Sequence, residues 1–233
     1  MKFTEEILCY ALSLSFTDDK SVQTVKDAVR LYCDWLRVVV DPSERIPLPV
    51  RKNPEPHLKR ILEHLQNLFV PRVERRWLDV QYNLCKTVLK AVLTVCKEAT
   101  SLEASTWETI LLFFLAIADT LLAPPLATGG LADLLGSELI KTVFEVWLVA
   151  CAKNFPTPTF WKTLTDFVQG WRHHYAVIDW WSRFTAVLTR NVIQISHGAS
   201  YPELLVPEED KSLVCPMDQE TVVGRFRDQN WSP

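Results

Sequence analysis

Glycine is scarce in this sequence. Only 6 of the 233 residues are glycine, and β-sandwiches and barrels need many turn glycines, so an all-β fold is disfavoured. No pair of apolar runs is joined by a hairpin signal. Hydrophobic residues make up 48% and charged residues 23%, which is typical of a globular protein and unlike a disordered one. The composition therefore predicts a folded protein built from helices.

The sequence also lacks a strong excess of charge and a long hydrophobic run. Its net charge of −3 gives no global electrostatic reason to bind nucleic acid or an anionic membrane. The longest uninterrupted apolar run, residues 110–118, is shorter than the roughly 20 residues that cross a bilayer. Glu5 and Glu6 precede any apolar run, unlike the start of a signal peptide. We expect a soluble, cytoplasmic protein with no transmembrane segment and no nucleic-acid partner.

Catalytic and metal-binding motifs are missing too. The sequence has no phosphate-binding loop, nucleophile elbow, kinase set or zinc-protease motif. His57 and His64 are too far apart along a helix to share a metal, and adjacent His173 and His174 diverge. The 6 cysteines form no C-x-x-C pair, and we expect free thiols packed as small hydrophobes. These observations predict that the chain is not an enzyme and holds no cofactor or metal.

Apolar residues recur with the helical period through most of the chain. They predict eight helices, at about 4–16, 21–39, 57–69, 73–99, 105–122, 134–154, 158–171 and 175–195. Five prolines between positions 42 and 56 exclude a continuous helix there. The fifth helix is apolar nearly all round, so other elements must cover it on all sides. Ser105 and Glu108 have the spacing of a capping box at its start.

The predicted helices form pairs that recur about every 40 residues. The pairs lie at 57–99, 105–154 and 158–195, a spacing typical of HEAT or armadillo stacks. Since no residue-level self-similarity accompanies the spacing, an irregular helical bundle fits nearly as well. We predict an all-α fold, an irregular HEAT/armadillo-like stack of about eight helices in a domain at 1–198. A loop-like tail at 199–233 follows, with acids at Glu203, Glu208, Glu209 and Asp210.

Two groups of side chains are candidate contacts for a partner protein. The first is the basic group Arg72, Arg75 and Arg76 beside Trp77, and the second comprises Trp171, Trp180 and Trp181. Tryptophan and arginine are enriched at the centres of protein interfaces. The alternatives that stay open are solvated charge for the arginines and core packing for the tryptophans.

Six segments in a fixed order resemble the amino-terminal region of the beta-subunit family of Ral GTPase-activating proteins. They are IPLPV at 46–50, HLQNLFVPR at 64–72, LLAPP at 121–125, FEVWLVACAKNFPTPTFWKT at 144–163, WRHH at 171–174 and VPEEDKSL at 206–213. The segments are rich in tryptophan and proline and keep a similar spacing. After residue 217 the sequence departs from the family pattern, so we expect a fragment or a short form.

The resemblance implies a role in a large heteromeric complex related to the tuberin complex. In that family the beta subunit is the non-catalytic partner of a catalytic alpha subunit, and the complex stimulates GTP hydrolysis by Ral GTPases. The wider family uses an asparagine in a carboxy-terminal GAP domain, which this chain is too short to contain. The implied function is a regulatory scaffold that forms a heterodimer with the alpha subunit and reaches Ral only through the complex.

The residues by themselves leave a second function open. A free-standing helical-repeat adaptor would bind an unrelated protein or peptide along its surface. An exposed, contiguous apolar groove on the folded chain would favour that alternative.

Overall fold

The computed structural model describes residues 2–72, 75–124 and 130–197, and within these ranges the fold is all-α, as predicted. Nine α-helices occur there rather than eight. They are α1 (Lys2–Ser13), α2 (Asp19–Leu36), α3 (Leu48–Lys52), α4 (Pro54–Leu65), α5 (Leu78–Glu98), α6 (Ala104–Leu122), α7 (Leu131–Lys153), α8 (Pro158–Gly170) and α9 (Tyr175–His197). The predicted tail at 199–233 and the domain boundary at 198 lie outside the described residues and stay predictions.

The helices form two layers. Helices α1, α4, α6 and α8 pack in sequence along one layer, and α2, α5, α7 and α9 pack along the other. The layers face each other most closely where α1 meets α2 and where α6 meets α7. One continuous hydrophobic core runs between them from α1 to α9. This arrangement confirms the predicted all-α helical stack, in which α1 packs on α2 and α6 packs on α7.

Neighbouring helices within a layer run parallel, as they must when successive hairpins stack. Lys97, near the end of α5, pairs with Glu145 of α7 at 3.3 Å. Lys153, the last residue of α7, donates to the carbonyl oxygens of Lys97 and Ala99 at 2.6 and 2.8 Å. The carboxyl ends of α5 and α7 therefore lie together. The Lys153 ammonium group also neutralises the carbonyl oxygens that the end of α5 leaves unpaired.

The proline-rich link contains the ninth helix, α3, which the sequence reasoning missed. Pro49 is its second residue, a position in the first turn where the missing N–H would have no partner in the helix anyway. The same reason lets α4 begin at Pro54 instead of His57. Prolines mark the starts of these helices and do not exclude them. The fourth predicted helix, in turn, begins later: α5 starts at Leu78 after a 3₁₀ turn at Arg75–Trp77.

The capping box predicted at Ser105 and Glu108 is wrong. Helix α6 begins one residue earlier, after Glu103, and no side chain of its own caps it. Instead the Glu55 carboxylate of α4 accepts hydrogen bonds from the Glu103 N–H, at 3.1 Å, and from the Thr106 hydroxyl. A carboxylate at a helix amino terminus complements the helix dipole. The reciprocal box is found at the start of α2, where Asp18 and Ser21 bond each other's backbone N–H groups.

Helix α6 occupies the middle of its layer, between α4 and α8 and against α7. Other helices of the same chain therefore cover most of the apolar surface of α6, as the sequence predicted. Leu112 is the exception among its large side chains, with half of its surface exposed. By length and composition alone α6 could cross a membrane, but 61% of its apolar stretch is buried among the other helices. In this fold α6 is a core helix.

A buried polar cluster connects α1 to α4 and α2. The side chain of Glu5 is only 2% exposed, and its carboxylate contacts His57 Nδ1 at 2.6 Å and the Arg60 guanidinium. The Tyr32 hydroxyl donates to the Glu5 carbonyl oxygen at 3.3 Å and lies 2.6 Å from His64 Nδ1. Burial would raise the pKa of Glu5, but the hydrogen bonds from His57 and Arg60 outweigh it and lower that pKa. Glu5 is thus held as a carboxylate inside the fold.

Mild acid should destabilise the protein through His64. Burial lowers the pKa of His64 below its ordinary value of 6.5, so the unfolded chain binds a proton more readily than the folded one does. The stability that neutral His64 provides is present above about pH 6.5 and is lost as the pH falls below it. We expect the free energy of unfolding, measured by urea denaturation, to fall between about pH 7.5 and about pH 5.5. In His64→Gln, which cannot titrate, the fall should be smaller, and an equal fall would contradict this assignment.

Candidate interaction surfaces

A groove lies between the loop that follows α1 and the segment that follows α4. Its cavity holds about 430 Å³ and is lined by Ser13, Leu14, Ser15, Phe16, Thr17, Asn67, Val70, Pro71 and Arg72. Arg72 forms its inner wall. Val70, with 51% of its surface exposed, extends the groove onto the protein surface. The first sequence-predicted contact therefore belongs to a concave site.

The Arg72 side chain is half-buried and tied to the end of α1. Its Nη2 donates to the Leu12 carbonyl oxygen at 2.6 Å, and its guanidinium lies over the Phe16 ring, 4.2 Å from the centroid. Burial lowers the pKa of Arg72, yet an arginine stays charged in proteins. Its Nη1 is buried and donates to no acceptor among the described residues. A buried N–H donor without a partner costs about 1–3 kcal/mol.

Arg75 and Arg76 are exposed in the 3₁₀ turn before α5. The Arg76 guanidinium lies 4.8 Å from the centroid of the Trp77 ring. The structure therefore gives the three predicted arginines different settings. Arg72 lines the groove, whereas Arg75 and Arg76 are exposed to solvent.

The three predicted tryptophans do not form one surface. Trp171 is only 1% exposed, and its Nε1 donates to Asp119 at 3.1 Å, so its side chain belongs to the core. Trp181 is half-buried and packs on Phe144 and Phe184. Trp180 is also half-buried, with the Arg183 guanidinium 5.2 Å from its ring centroid. Of the three, only Trp180 and Trp181 offer surface to a partner.

Helix α9 presents an outer face whose most exposed positions carry uncharged side chains. Its exposed positions between 175 and 193 are Tyr175, Ile178, Ser182, Ala186, Thr189 and Val192. They recur every three or four residues, so they lie along one side of the helix. Tyr175 is 81% exposed, Ile178 56% and Val192 53%. End helices of repeat stacks normally carry a polar outer face for solubility, and the α9 face departs from that pattern.

Helix α1 carries a second exposed apolar stripe, which the sequence reasoning missed. Phe3, Ile7 and Tyr10 are 74%, 50% and 68% exposed and lie one turn apart. The opposite face of α1 buries Leu8, Ala11 and Leu12. The sequence does contain a signal for this stripe, because the apolar residues of α1 fall on two faces of the helix. Because α1 and α9 stand at opposite ends of the stack, their stripes do not form one contiguous groove.

The cysteines and histidines build no reactive centre in the described ranges. Cys9, Cys33, Cys85 and Cys96 are free thiols, and Cys151 is buried in α7. Burial raises the pKa of Cys33 and of Cys96 to about 12 in each case, which keeps them protonated and unreactive. No group of three or more histidine, cysteine or acidic side chains in these ranges could hold a metal ion. Packing accounts for these thiols.

A profile of the RALGAPB N-terminal domain family matches residues 77–198, just over half of the chain and all of α5 to α9. The chain belongs to this family. Its sequence is 45% identical to the human Ral GTPase-activating protein subunit beta over 223 residues, which are 95% of this chain and 14% of the human protein. The rat protein of the same name is 44% identical over the same share of this chain. The chain thus spans about a seventh of these relatives.

More distant relatives bear other names. A Rap-GAP domain-containing protein of Dictyostelium discoideum is 31% identical over 55% of this chain and 8% of its own length. A probable Rho GTPase-activating protein of Drosophila melanogaster is 21% identical over 88% of this chain and 13% of its own length. No solved structure matches the chain. The resemblance drawn from the six sequence segments is confirmed by the family match.

Proposed function

We propose that this chain is a non-catalytic scaffolding segment of a Ral GTPase-activating complex, working in the cytoplasm. In this proposal it binds a catalytic alpha subunit and supports GTP hydrolysis on Ral through the assembled complex. The observation that carries it is the 45% identity, over 95% of this chain, to a protein named as a subunit of such an activator. A stack of helical hairpins supports such a role, because it offers extended side-chain surfaces for partner proteins.

The α9 outer face is the surface we propose for the alpha subunit. Burying Ile178 and Val192 there would contribute roughly 25 cal/mol for each Å² of apolar surface removed from water. The most exposed positions of this face are uncharged, and the partly exposed Asp179 and Arg183 beside them are already paired at 3.1 Å, so docking an apolar partner there desolvates no unpaired ion. Trp180 and Trp181 flank this face as half-buried aromatic side chains. Arg75 and Arg76, in the 3₁₀ turn before α5, remain candidate contacts outside it.

Co-elution on a sizing column tests this proposal. We expect the purified chain and the alpha subunit to elute in one joint peak. Ile178→Asp should split that peak, because it places a charge in an apolar contact. Leu112→Asp is the matched control, since Leu112 is 50% exposed on a different helix, and it should leave the joint peak intact.

Two results would argue against the proposal. Separate elution of a well-folded wild-type chain would assign the alpha-subunit contact to other parts of the longer protein. Equal loss of the joint peak in Ile178→Asp and Leu112→Asp would show that the α9 face has no special part in assembly.

A further inference from the structure

The outer face of α9 is an apolar surface that no described helix covers. It extends from Tyr175 to Val192, about 26 Å along the helix, while Phe184 packs on Phe144 of α7 on the opposite side. Its large side chains are each more than half exposed, and they are Tyr175, Ile178 and Val192. An exposed apolar patch of this kind marks a place where another segment or another protein binds.

The segment that follows α9 is long enough to return along this face. Residues 198–217 continue directly from His197, where α9 ends. Their 20 residues span about 30 Å as a helix and roughly 65 Å when extended. Gly198 and Pro202 are residue types that favour a turn at the start of the segment. In either form the segment can therefore turn and run along the whole face.

The apolar residues of the segment have the spacing that the face requires. They form two groups, at 204–206 and at 213–217. A chain that turns back after His197 meets Val192 first and Ile178 later, and these two positions are about 21 Å apart along α9. The centres of the two groups are roughly 15 Å apart in a helix and roughly 33 Å apart in an extended chain. Because the distance on the face lies between these limits, both groups can contact exposed apolar side chains.

The charge at the edge of the face also fits the segment. Arg190 is half-buried on the flank that carries the Asp179–Arg183 pair, and no acidic residue lies one turn away from it on α9. An acidic run at 208–210 separates the two apolar groups of the segment. When the two groups lie on the face, this run comes within about one turn of Arg190 and can pair with it.

We propose that residues 203–217 fold back and cover the α9 outer face. A second copy of the chain is the alternative occupant, and two considerations disfavour it. A stable interface buries about 800 Å² on each partner, which is more than three large side chains along one helix expose. A segment joined by a short linker acts at an effective concentration in the millimolar range, so it occupies the face before a second copy does.

The docking of the segment does not depend on the proposed function, whereas its consequence rests on it. Where the alpha subunit binds the same face, the segment and the alpha subunit compete for it. The segment then covers the apolar side chains of the free chain and limits assembly until the alpha subunit displaces it.

Thiol labelling of the full chain tests the docking. Ser182→Cys places a thiol at an exposed position in the middle of the face, and mass spectrometry of the peptides measures its rate of reaction with iodoacetamide. We expect the rate to rise about tenfold when Leu205→Asp and Leu213→Asp are added, because a face that is open for a tenth of the time reacts at a tenth of the rate. Thr87→Cys, exposed in the middle of α5, is the control, and the same tail substitutions should leave its rate unchanged.

Arg190→Glu tests the same contact without altering the tail. It should raise the labelling rate of the thiol at position 182 severalfold, because it repels the acidic run at 208–210. Lys162→Glu, an equal change of charge at an exposed position of α8, is the control and should leave the rate unchanged.

The proposal is overturned if the tail substitutions leave the rate at position 182 unchanged, if they change the rate at position 87 equally, or if Arg190→Glu has no more effect than Lys162→Glu. Protection that disappears when the protein is diluted assigns the face to a second copy and also overturns it. Co-elution keeps the two proposals apart. A joint peak with the alpha subunit and no protection at position 182 overturns only the tail docking. Protection without a joint peak, even after the tail substitutions, overturns only the alpha-subunit contact.

Discussion

Trp147→Ala should lower the free energy of unfolding by about 3–5 kcal/mol, the usual cost of removing a fully buried aromatic side chain. Trp147 lies in the middle of α7 with 0% of its surface exposed. Its ring packs edge to face on Trp161 of α8, with 6.3 Å between centroids. The substitution would therefore open a cavity between two helical pairs of the stack. Urea denaturation followed by circular dichroism measures the loss.

Trp180→Ala is the matched control for this prediction. Trp180 is half-buried at the edge of the core, beside the Arg183 guanidinium. Because it buries less surface than Trp147, the expected loss is smaller, about 2 kcal/mol. Equal losses in the two variants would mean that α7 and α8 are not packed as described.

A second comparison separates ring packing from hydrogen bonding: Trp171→Phe should cost more than Trp147→Phe. Trp171 donates to Asp119, whereas Nε1 of Trp147 has no acceptor in the described ranges.

Glu5→Ala should cost about 3 kcal/mol, the lower end of the range for breaking a buried ion pair. The substitution removes the acceptor of both His57 and Arg60 and leaves the His57 ring, which is only 14% exposed, without its partner. The loss lies at the lower end of that range because the Arg60 side chain is 39% exposed and can regain water. For a chain of this size the loss corresponds to a melting temperature lower by about 6–12 °C. Thermal denaturation at neutral pH measures it.

Glu6→Ala is the control for Glu5→Ala, because Glu6 is the next residue on α1 and is exposed. Its melting temperature should stay within about 2 °C of the wild type.

The dependence of stability on acid provides an independent check on the Glu5 carboxylate. The pKa of Glu5 is lowered in the folded state, so its contribution is present above its ordinary value of 4.5 and is lost as the pH falls below it. Glu5→Gln should lack that part of the acid loss, and an unchanged acid profile would contradict the role of the Glu5 carboxylate.

Local sequence patterns predicted most of the helices and failed where a helix depended on distant residues. The apolar period of α2 and α4 to α9 is visible in the chain itself. Helix α3 is only five residues long and follows proline, so neither period nor composition identified it. The start of α6 was misassigned because its capping carboxylate, Glu55, comes from another helix 51 residues away from Thr106. Local patterns could not predict the cluster at Glu5 either, because His57 and Arg60 lie 52 and 55 residues further along the chain.

For the candidate surfaces, too, the sequence identified residues whose burial only the folded chain shows. The sequence marked Arg72, Arg75 and Arg76 as contacts, but only the folded chain shows that Arg72 forms the wall of a cavity and that Arg75 and Arg76 are in solvent. It named Trp171 together with Trp180 and Trp181 because tryptophan is enriched at protein interfaces. The turn before α9 directs Trp171 toward Asp119 in the core, while the other two stay half-buried.

The sequence by itself determined the all-α class, the recurrence of helical pairs and the apolar circumference of α6, because helical periodicity is a property of consecutive residues. It also carried the family resemblance through its ordered segments. Tertiary structure alone decided which apolar faces are covered. Helix α6 is enclosed because α4, α7 and α8 surround it. Helices α1 and α9 stand at the ends of the described stack, where each has a neighbour in its layer on one side only. A side chain is buried by what packs against it, and for α1 and α9 that depends on residues far away in the chain.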